Sequence, residues 1–213
     1  MTPIISIVGR SGSGKTTFVE KLIVELTKRG HRVATIKHTP MGMAWPDDDK
    51  DSTRHLKAGS RAAIISAPDK LVMVQPVASP PSLEETARLF AEDYDIILTE
   101  GFKQGDAPKI EVHRREVGPP LKDIQRLFAI VTDEKLDTKV RQFGLEDVKG
   151  IASLLEEGFI KPQRERIVLY ANDEPVPLTA FPREVITNVV LALAASLKGV
   201  GKVRSLKLFL KRE

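Results

Sequence analysis

The sequence contains no cysteine, and this absence removes several kinds of chemistry. Disulfide frameworks, thiolate zinc sites and cysteine nucleophiles are all excluded. A chain without cysteine also fits a reducing compartment, so we expect a cytoplasmic protein.

Long hydrophobic runs are lacking as well. No stretch approaches the ~18 consecutive apolar residues that indicate a membrane span. The apolar run Ile4–Val8 is too short for a secretory signal, and glycines follow it instead of a cleavage site. We therefore expect no membrane partner and no secretory leader.

A strong excess of one charge is also absent. The chain has 33 Lys and Arg against 29 Asp and Glu, which gives a net charge of +4 that is spread along the sequence. This balance does not indicate a nucleic-acid partner. The length of 213 residues fits one main core with an appendage, on a prior of ~100–200 residues per domain.

Strand and helix patterns alternate along the first part of the chain. Four apolar, β-branched runs are typical of strands buried in a parallel sheet: Ile4–Val8, Val33–Lys37, 95–99 and Leu127–Thr132. Helical spacing and capping signals predict four helices, over 15–29, 51–57, 82–91 and 145–159. The fold class is therefore α/β, a three-layer domain with a mostly parallel sheet covered on both faces.

Other segments of this domain predict smaller elements. The runs 62–66 and 71–75 flank a Pro-Asp turn and predict a hairpin. The alternation over Lys109–His113 predicts an edge strand. Residues 39–50 are too rich in Gly, Pro and Asp for regular structure.

The pattern changes after a polar break at 164–166. We expect a nucleotide-binding domain over residues 1–165 and a small α+β extension over 166–213. A strand at 167–170, a turn with two prolines, a helix at 183–197 and a basic strand at 202–210 predict a ββαβ unit. We expect this extension to serve assembly or partner contact, or only to cover a sheet edge.

Residues 9–16 match the P-loop pattern G-x-x-x-x-G-K-[ST] in full, between a buried strand and an amphipathic helix. In such a loop the backbone N–H groups surround phosphate oxygens, the lysine reaches the β and γ phosphates, and the threonine hydroxyl binds Mg²⁺. The predicted phosphate- and metal-binding residues are Gly9, Ser11, Gly12, Ser13, Gly14, Lys15, Thr16 and Thr17.

Two acidic residues are candidates for the metal side of this site. Glu100 ends an apolar strand, where a carboxylate can face the P-loop magnesium, although many strands end on a surface acid. Asp51 follows the second strand, where P-loop proteins carry a switch that responds to the γ-phosphate. The neighbouring run of Asp47, Asp48 and Asp49 leaves open that Asp51 only adds solubility.

Three further residues end strands at the edge where ligands bind in open α/β sheets. Lys37 and His38 end the second strand, and His38 is either a ligand contact or a hydrogen-bonded structural residue. Asp133 follows the strand Leu127–Thr132 and can accept hydrogen bonds from guanine. A helix N-cap is an equal interpretation of Asp133.

The order and spacing of several segments resemble the molybdopterin-guanine dinucleotide biosynthesis adaptor family, MobB. The resemblance covers residues 3–160, and the segments that carry it are 9–17, 36–38, 50–52, 58–59, 98–103 and 109–114. The sequence departs from the family at Asp49, because a glycine commonly precedes the Lys-Asp-Ser triplet there.

The resemblance implies a dimeric GTP-binding protein with slow hydrolysis, associated with the guanylyltransferase that attaches GMP to molybdenum cofactor. It implies that Lys15, Asp51 and Glu100 act in hydrolysis and that Thr16, Asp51 and Glu100 hold Mg²⁺. Lys103 and Arg114 match family positions whose role the resemblance leaves open. Molybdopterin is a further candidate ligand.

Other classes of protein use the same loop. A small-molecule kinase needs an acceptor pocket and an arginine-bearing lid, for which the sequence gives no signal. A metallochaperone GTPase needs a Cys/His metal site, and the chain has no cysteine and four histidines. A structural adaptor whose nucleotide only stabilises the fold also remains open.

Overall fold

The structure, a computed structural model, describes residues 2–39, 51–90, 94–163, 167, 169–172, 174–203, 206, 208 and 210. The chain divides into two compact units, Thr2–Lys161 and Pro162–Glu213, and each is considered by itself below. The predicted irregular segment 39–50 lies outside the described residues except for Thr39.

The first unit consists of alternating strands and helices. Its strands are β1 Ile4–Val8, β2 Val33–Lys37, β3 Ala63–Ser66, β4 Leu71–Val74, β5 Ile96–Glu100, β6 Lys109–His113, β7 Leu127–Thr132 and β8 Arg141–Gly144. Its helices are α1 Lys15–Lys28, α2 Asp51–Lys57, α3 Leu83–Arg88 and α4 Val148–Leu155, which continues into a π-helical turn at Glu156–Ile160.

Six of these strands form one parallel sheet in the order β2-β5-β1-β6-β7-β8. Helices α1 and α4 pack with apolar side chains on one face, including Ile5, Leu22 and Ile151. Helix α3 covers part of the other face through Leu83 and Ala87. The predicted three-layer α/β fold with a parallel sheet is confirmed, and β3 with β4 forms the predicted antiparallel hairpin.

The prediction that Lys109–His113 is an edge strand is wrong. Strand β6 lies between β1 and β7, and all five of its residues are buried. Its polar side chains are bonded inside the protein: the Lys109 ammonium donates to the carbonyls of Gly105, Ala107 (3.0 Å) and Gln125 (3.2 Å). Alternation indicates a half-exposed strand only when the polar face meets water, and here covering segments supply the hydrogen bonds.

The predicted helix 145–159 is shorter than expected. Strand β8 ends at Gly144, and α4 begins only at Val148, because the Asp147 side chain accepts a hydrogen bond from Gly150 N at 3.0 Å as its N-cap. The capping box predicted at Ser82 and Glu85 is present: the backbone N–H of each residue donates a hydrogen bond to the side chain of the other.

The far end of α1 from the P-loop is held by charged side chains. Arg29 binds Glu25 and Glu156 at 2.7 Å each, and His31 Nε2 lies 2.7 Å from Glu156 Oε1. Burial raises the pKa of Glu156, but hydrogen bonds from His31 and Arg29 outweigh it and leave this pKa below its usual 4.5. The network ties α1 to the end of α4.

The second unit contains a short antiparallel pair, β9 Leu169–Ala171 with β10 Glu174–Val176, and the helix α5 Ala180–Ser196. The predicted strand at 202–210 lies partly outside the described residues, and its described residues are not in a strand. Among the residues with a described structure, no helix has the length and apolar character needed to span a membrane.

Candidate functional site

The P-loop connects β1 to α1, and Gly9 and Gly14 show why its backbone needs glycine. Gly14 is the N-cap of α1 with φ of 86°, a left-handed conformation that glycine adopts without strain. Gly9 packs against β6, where an added Cβ would overlap the carbonyl oxygen of Val112 and lie 2.7 Å from Ser13 Oγ. The loop is therefore a close-packed backbone turn at the positive end of a helix.

This loop fits a bound phosphate group. Ser13 Oγ is buried and has no hydrogen-bond partner among the described residues. Because buried polar groups are normally hydrogen-bonded, this hydroxyl is available to a ligand in the loop. No acidic residue lies in the first turn of α1. Ser11, Gly12, Thr16 and Thr17 are exposed to solvent beside it, as a phosphate-binding loop requires.

The structure brings Thr16 and Glu100 together. Strand β5 pairs with β1 in parallel, with Glu100 opposite Ile7, so its carboxylate stands beside the start of α1. Thr16 Oγ1 donates a hydrogen bond to Glu100 Oε1 at 2.9 Å, although 84 positions separate the two residues. A hydroxyl and a carboxylate are hard oxygen donors of the kind that Mg²⁺ prefers, so this pair fits the metal.

Lysine ammonium groups surround this pair. Lys15 Nζ donates to the carbonyl oxygen of Arg10 at 2.7 Å, inside the loop. Burial lowers the pKa of Lys15, Glu100 raises it, and the charges of Lys103 and Lys37 lower it, with a net lowering. Lys37 Nζ also lies 3.8 Å from Glu100 Oε2. The charges of Glu100, Lys37 and Lys103 therefore all act on Lys15.

His38 packs against the turn that follows β5. Its ring lies 4.8 Å from the Phe102 ring, and its backbone N–H donates to the Glu100 carbonyl at 3.1 Å. A Cβ on Gly101, whose φ is 110°, would lie 3.1 Å from His38 Cβ. These contacts favour the structural interpretation of His38, as a residue that shapes the turn beside the site.

Two arginines connect the loop to the β6 side. Arg114 Nε donates to the Ser13 carbonyl at 3.3 Å, and Arg10 Nε donates to the Pro119 carbonyl at 2.8 Å. Both guanidinium groups are thus bonded to backbone oxygens, which fixes the loop against the segment after β6.

In the part of the chain that the structure describes, no hydrogen bond or ion pair joins Asp51 to this cluster. Asp51 begins the exposed helix α2 and lies 3.6 Å from Arg54 in an ion pair. Among the described residues, no group of three His, Cys, Asp or Glu side chains could hold a metal ion. A shared site for Asp51 and Glu100 therefore stays a prediction.

Asp133 caps a turn of the neighbouring loop. Its Oδ1 accepts from Arg115 N at 2.9 Å, at the start of the 3₁₀ turn Arg115–Val117. No helix begins at Asp133 in this described stretch, so the alternative of a helix N-cap is wrong. Asp133 lies at the carboxyl end of β7, on the same sheet edge as the P-loop.

Sequence reasoning did not identify Glu111. This residue is 1% exposed on β6, and its Oε1 accepts from Leu121 N at 2.7 Å. It therefore holds the segment that includes Pro119, which in turn binds Arg10. Only the placement of β6 inside the sheet could have revealed this connection.

A family model matches most of the first unit. The family described as molybdopterin guanine dinucleotide synthesis protein B matches residues 4–133. This range includes the P-loop, Glu100 and Asp133.

Curated relatives and solved structures agree with that match. A Haemophilus influenzae protein named molybdopterin-guanine dinucleotide biosynthesis adapter protein is 37% identical over 156 residues, covering 72% of this chain and 88% of the relative. An Escherichia coli protein of the same name is 30% identical, covering 74% and 93%. The crystal structure of a MobB homolog from Bacillus stearothermophilus shares the fold, with a TM-score of 0.55, 21% identity, and coverage of 75% of this chain and 99% of that one.

Proposed function

Because the chain belongs to the molybdopterin guanine dinucleotide synthesis protein B family, we propose that it is a GTP-binding adapter in the formation of molybdopterin guanine dinucleotide. It hydrolyses GTP slowly, with Mg²⁺, as a timing reaction. Its partners are the guanylyltransferase that attaches GMP to molybdenum cofactor, a second copy of the chain and molybdopterin, all in the cytoplasm.

One observation supports this proposal most directly. The hydroxyl of Thr16 and the carboxylate of Glu100 meet at 2.9 Å beside a complete P-loop. A strand-end acid placed at the P-loop threonine is the arrangement that holds magnesium against a triphosphate. A glycine turn with only a structural role would not need this pairing.

Hydrolysis in such a site is mainly a matter of position and charge. The loop backbone and the N-terminus of α1 hold the phosphate oxygens, and Lys15 leaves the Arg10 carbonyl to neutralise the β and γ phosphates. Thr16 and Glu100 would hold Mg²⁺, which supplies charge neutralisation to the phosphates. Asp51 belongs to the same site only if α2 approaches when nucleotide binds.

The nucleoside end of GTP extends over β6 and β7 in this proposal. Ligands of open α/β sheets bind where the strand order reverses. Here the reversal is at β1, because β2 and β5 lie on one side of β1 and β6, β7 and β8 lie on the other. Asp133 at the end of β7 can then accept from the guanine N1 and N2 donors.

Titration with GTP, ATP and their slowly hydrolysed analogues, with and without Mg²⁺, tests this function. Lys15→Ala should weaken triphosphate binding by ~10- to 150-fold, since a charge-assisted hydrogen bond contributes ~1.5–3 kcal/mol. Lys21→Ala is the matched control, because Lys21 lies on the same helix but pairs with Glu146 at 2.7 Å. Equal GTP affinity in both variants would refute the nucleotide site.

A turnover measurement separates the remaining alternatives. A structural adaptor binds GTP without releasing phosphate, and a kinase transfers the phosphate to a small acceptor instead of water. The proposed adapter releases phosphate slowly, and its purified guanylyltransferase partner should be retained on the immobilised chain.

A further inference from the structure

The peptide bond between Ser13 and Gly14 is held from outside the P-loop. Arg114 Nε donates a hydrogen bond to the Ser13 carbonyl at 3.3 Å. The same guanidinium lies beside Gly14, since a Cβ added to that glycine would be 3.5 Å from Arg114 Nε and 3.6 Å from its Nη2. A side chain 101 positions away from Ser13 in the sequence therefore covers one side of a peptide bond in the middle of the motif.

This contact fixes the direction of the Gly14 N–H group. Across a trans peptide bond, the C=O of one residue and the N–H of the next point in opposite directions. Because the Ser13 carbonyl faces Arg114, the Gly14 N–H points away from Arg114. No hydrogen bond donated by Gly14 N occurs among the residues whose structure is described, so this donor is available to a ligand.

The loop around this peptide is shaped to bind an anion. Gly12 and Gly14, on either side of Ser13, have left-handed φ angles of 80° and 86°. Backbone turns that contain left-handed residues gather successive N–H groups into an anion-binding concavity. Gly14 is also the N-cap of α1, and the first N–H groups of a helix have no partner within it. The Gly14 N–H is therefore one of a set of donors that suits a phosphate oxygen.

Arg114 is itself held in place by the end of β6. It follows the last residue of that strand and stays extended, with φ of −131° and ψ of 135°. Its carbonyl accepts a hydrogen bond from Val117 N at 3.1 Å. The N–H of the next residue, Arg115, donates to Asp133 Oδ1 at 2.9 Å. The backbone on both sides of Arg114 is thus fixed, and its side chain reaches the P-loop from a rigid position.

We propose that Arg114 is a positioning residue for the triphosphate, which keeps the Gly14 N–H directed at a phosphate oxygen by holding the Ser13 carbonyl. The inference rests on the proposed function, because it takes the P-loop as the site of a nucleoside triphosphate. Without the guanidinium, the Ser13–Gly14 peptide gains freedom to rotate, since glycine has access to many backbone conformations. Binding must then order this peptide again, which lowers affinity. Arg114 acts through the loop backbone and not by contact with the ligand.

The test uses two variants of Arg114 and one of its neighbour. Arg114→Met removes the donor and the charge, whereas Arg114→Lys keeps the charge but lacks the planar guanidinium. Both should weaken binding of inorganic triphosphate and of GTP, with Mg²⁺, by ~10-fold, near the lower limit for a hydrogen bond to a charged group. Arg115→Met is the matched control, because the Arg115 side chain is 81% exposed and pairs with Glu134 at 3.0 Å. This control should change both affinities by less than ~2-fold.

A second measurement separates positioning from charge. In the nucleotide-free parent, the ¹⁵N relaxation order parameter of Gly14 should be that of rigid backbone, ~0.85, and it should fall in both Arg114 variants. Thermal unfolding checks that each variant is folded, and Arg114→Lys carries the test if Arg114→Met does not fold. A loss of affinity that Arg114→Lys restores, or a Gly14 order parameter that stays at the parent value in the variants, would show that Arg114 acts only as a charge and would overturn its positioning role.

The inorganic probe keeps this inference distinct from the proposed function. If GTP and inorganic triphosphate bind the parent and both Arg114 variants equally, the role of Arg114 is refuted and the nucleotide site stands. If the parent binds inorganic triphosphate but not GTP, the proposed function fails, and the same variants still decide the role of Arg114. If the parent binds neither ligand, both proposals fail.

Discussion

Replacing Glu100 with Gln tests the metal side of the site by removing one charge and little else. The amide oxygen of Gln can still accept the hydrogen bond from Thr16, which measures 2.9 Å. The pair with Lys37, at 3.8 Å, is lost. The variant therefore keeps the local shape and removes the carboxylate that would face Mg²⁺.

The effect on stability should be small. Two unit charges at this separation interact by ~4 kcal/mol at an effective dielectric constant of ~20. The Lys37 side chain is 63% exposed, however, and measured energies of exposed ion pairs are ~0–1 kcal/mol. We expect the free energy of unfolding of Glu100→Gln to fall by less than ~1 kcal/mol.

The effect on the metal should be large. A charge-assisted contact of ~1.5–3 kcal/mol corresponds to a ~10- to 150-fold higher Mg²⁺ concentration for half-saturation. Without Mg²⁺, GTP should bind the variant at least as tightly as the parent, because a negative charge near the phosphates is gone. A fluorescent GTP analogue titrated at a series of Mg²⁺ concentrations measures both quantities.

Two variants of Thr16 complete the experiment. Thr16→Ser keeps the hydroxyl and should retain the magnesium dependence of the parent, whereas Thr16→Val should resemble Glu100→Gln. An unchanged half-saturation for Mg²⁺ in both Glu100→Gln and Thr16→Val would refute the assignment of this pair to the metal.

Three further predictions follow from packing, charge and chain division. Gly9→Ala should lower the free energy of unfolding of the nucleotide-free protein by ~2–4 kcal/mol, because the new Cβ is strained and overlaps a backbone carbonyl. Gly12→Ala should lower it by only ~1–2 kcal/mol, because Gly12 has a left-handed φ but open space around it. Equal losses in chemical unfolding would contradict the packing of Gly9. Glu156→Gln should cost ~1–3 kcal/mol at neutral pH. Since the pKa of Glu156 is lowered on folding, its stabilisation is present above 4.5 and is lost as pH falls through the lowered pKa, so parent and variant should converge in acid, and a constant gap down to pH ~2 would exclude this cause. A chain that ends at Lys161 should fold cooperatively in thermal unfolding and keep its GTP affinity, because residues 2–161 form a compact unit; loss of GTP binding by a folded fragment would show that the extension reaches the site.

The phosphate-binding loop and the strands around it could be predicted from the sequence because their signals are local. A buried parallel strand is a short apolar run, and β1, β2 and β7 begin and end where the pattern predicts. The P-loop motif fixes both residue types and spacing within one segment. The prediction that Glu100 faces the P-loop magnesium followed from two strand ends on one sheet edge, and in the structure Thr16 donates a hydrogen bond to Glu100.

The position of β6 could not be predicted from its own residues. Its pattern of Lys109, Glu111 and His113 on one face is that of a half-exposed strand, and only contacts with distant segments make it central. The partners of these side chains lie at Gln125, Leu121 and Glu134, which no local periodicity connects to the strand. Whether Asp51 lies near the P-loop could not be predicted from local sequence either, because it depends on how α2 packs against the rest of the unit.

The two sides of the P-loop differ in how their polar groups are satisfied, and this difference orients the proposed ligand. On the β6 side, Glu111 binds Leu121 N and Arg10 binds the Pro119 carbonyl, so the charges there are used to fix the loop. On the β5 side, Lys37 keeps an exposed ammonium next to Glu100. A ligand with its charge concentrated at one end gains most when that end lies over β5 and its neutral end over β6 and β7. A nucleoside triphosphate has this distribution of charge, and the inverted orientation would leave its phosphates facing cations already bonded to carbonyls.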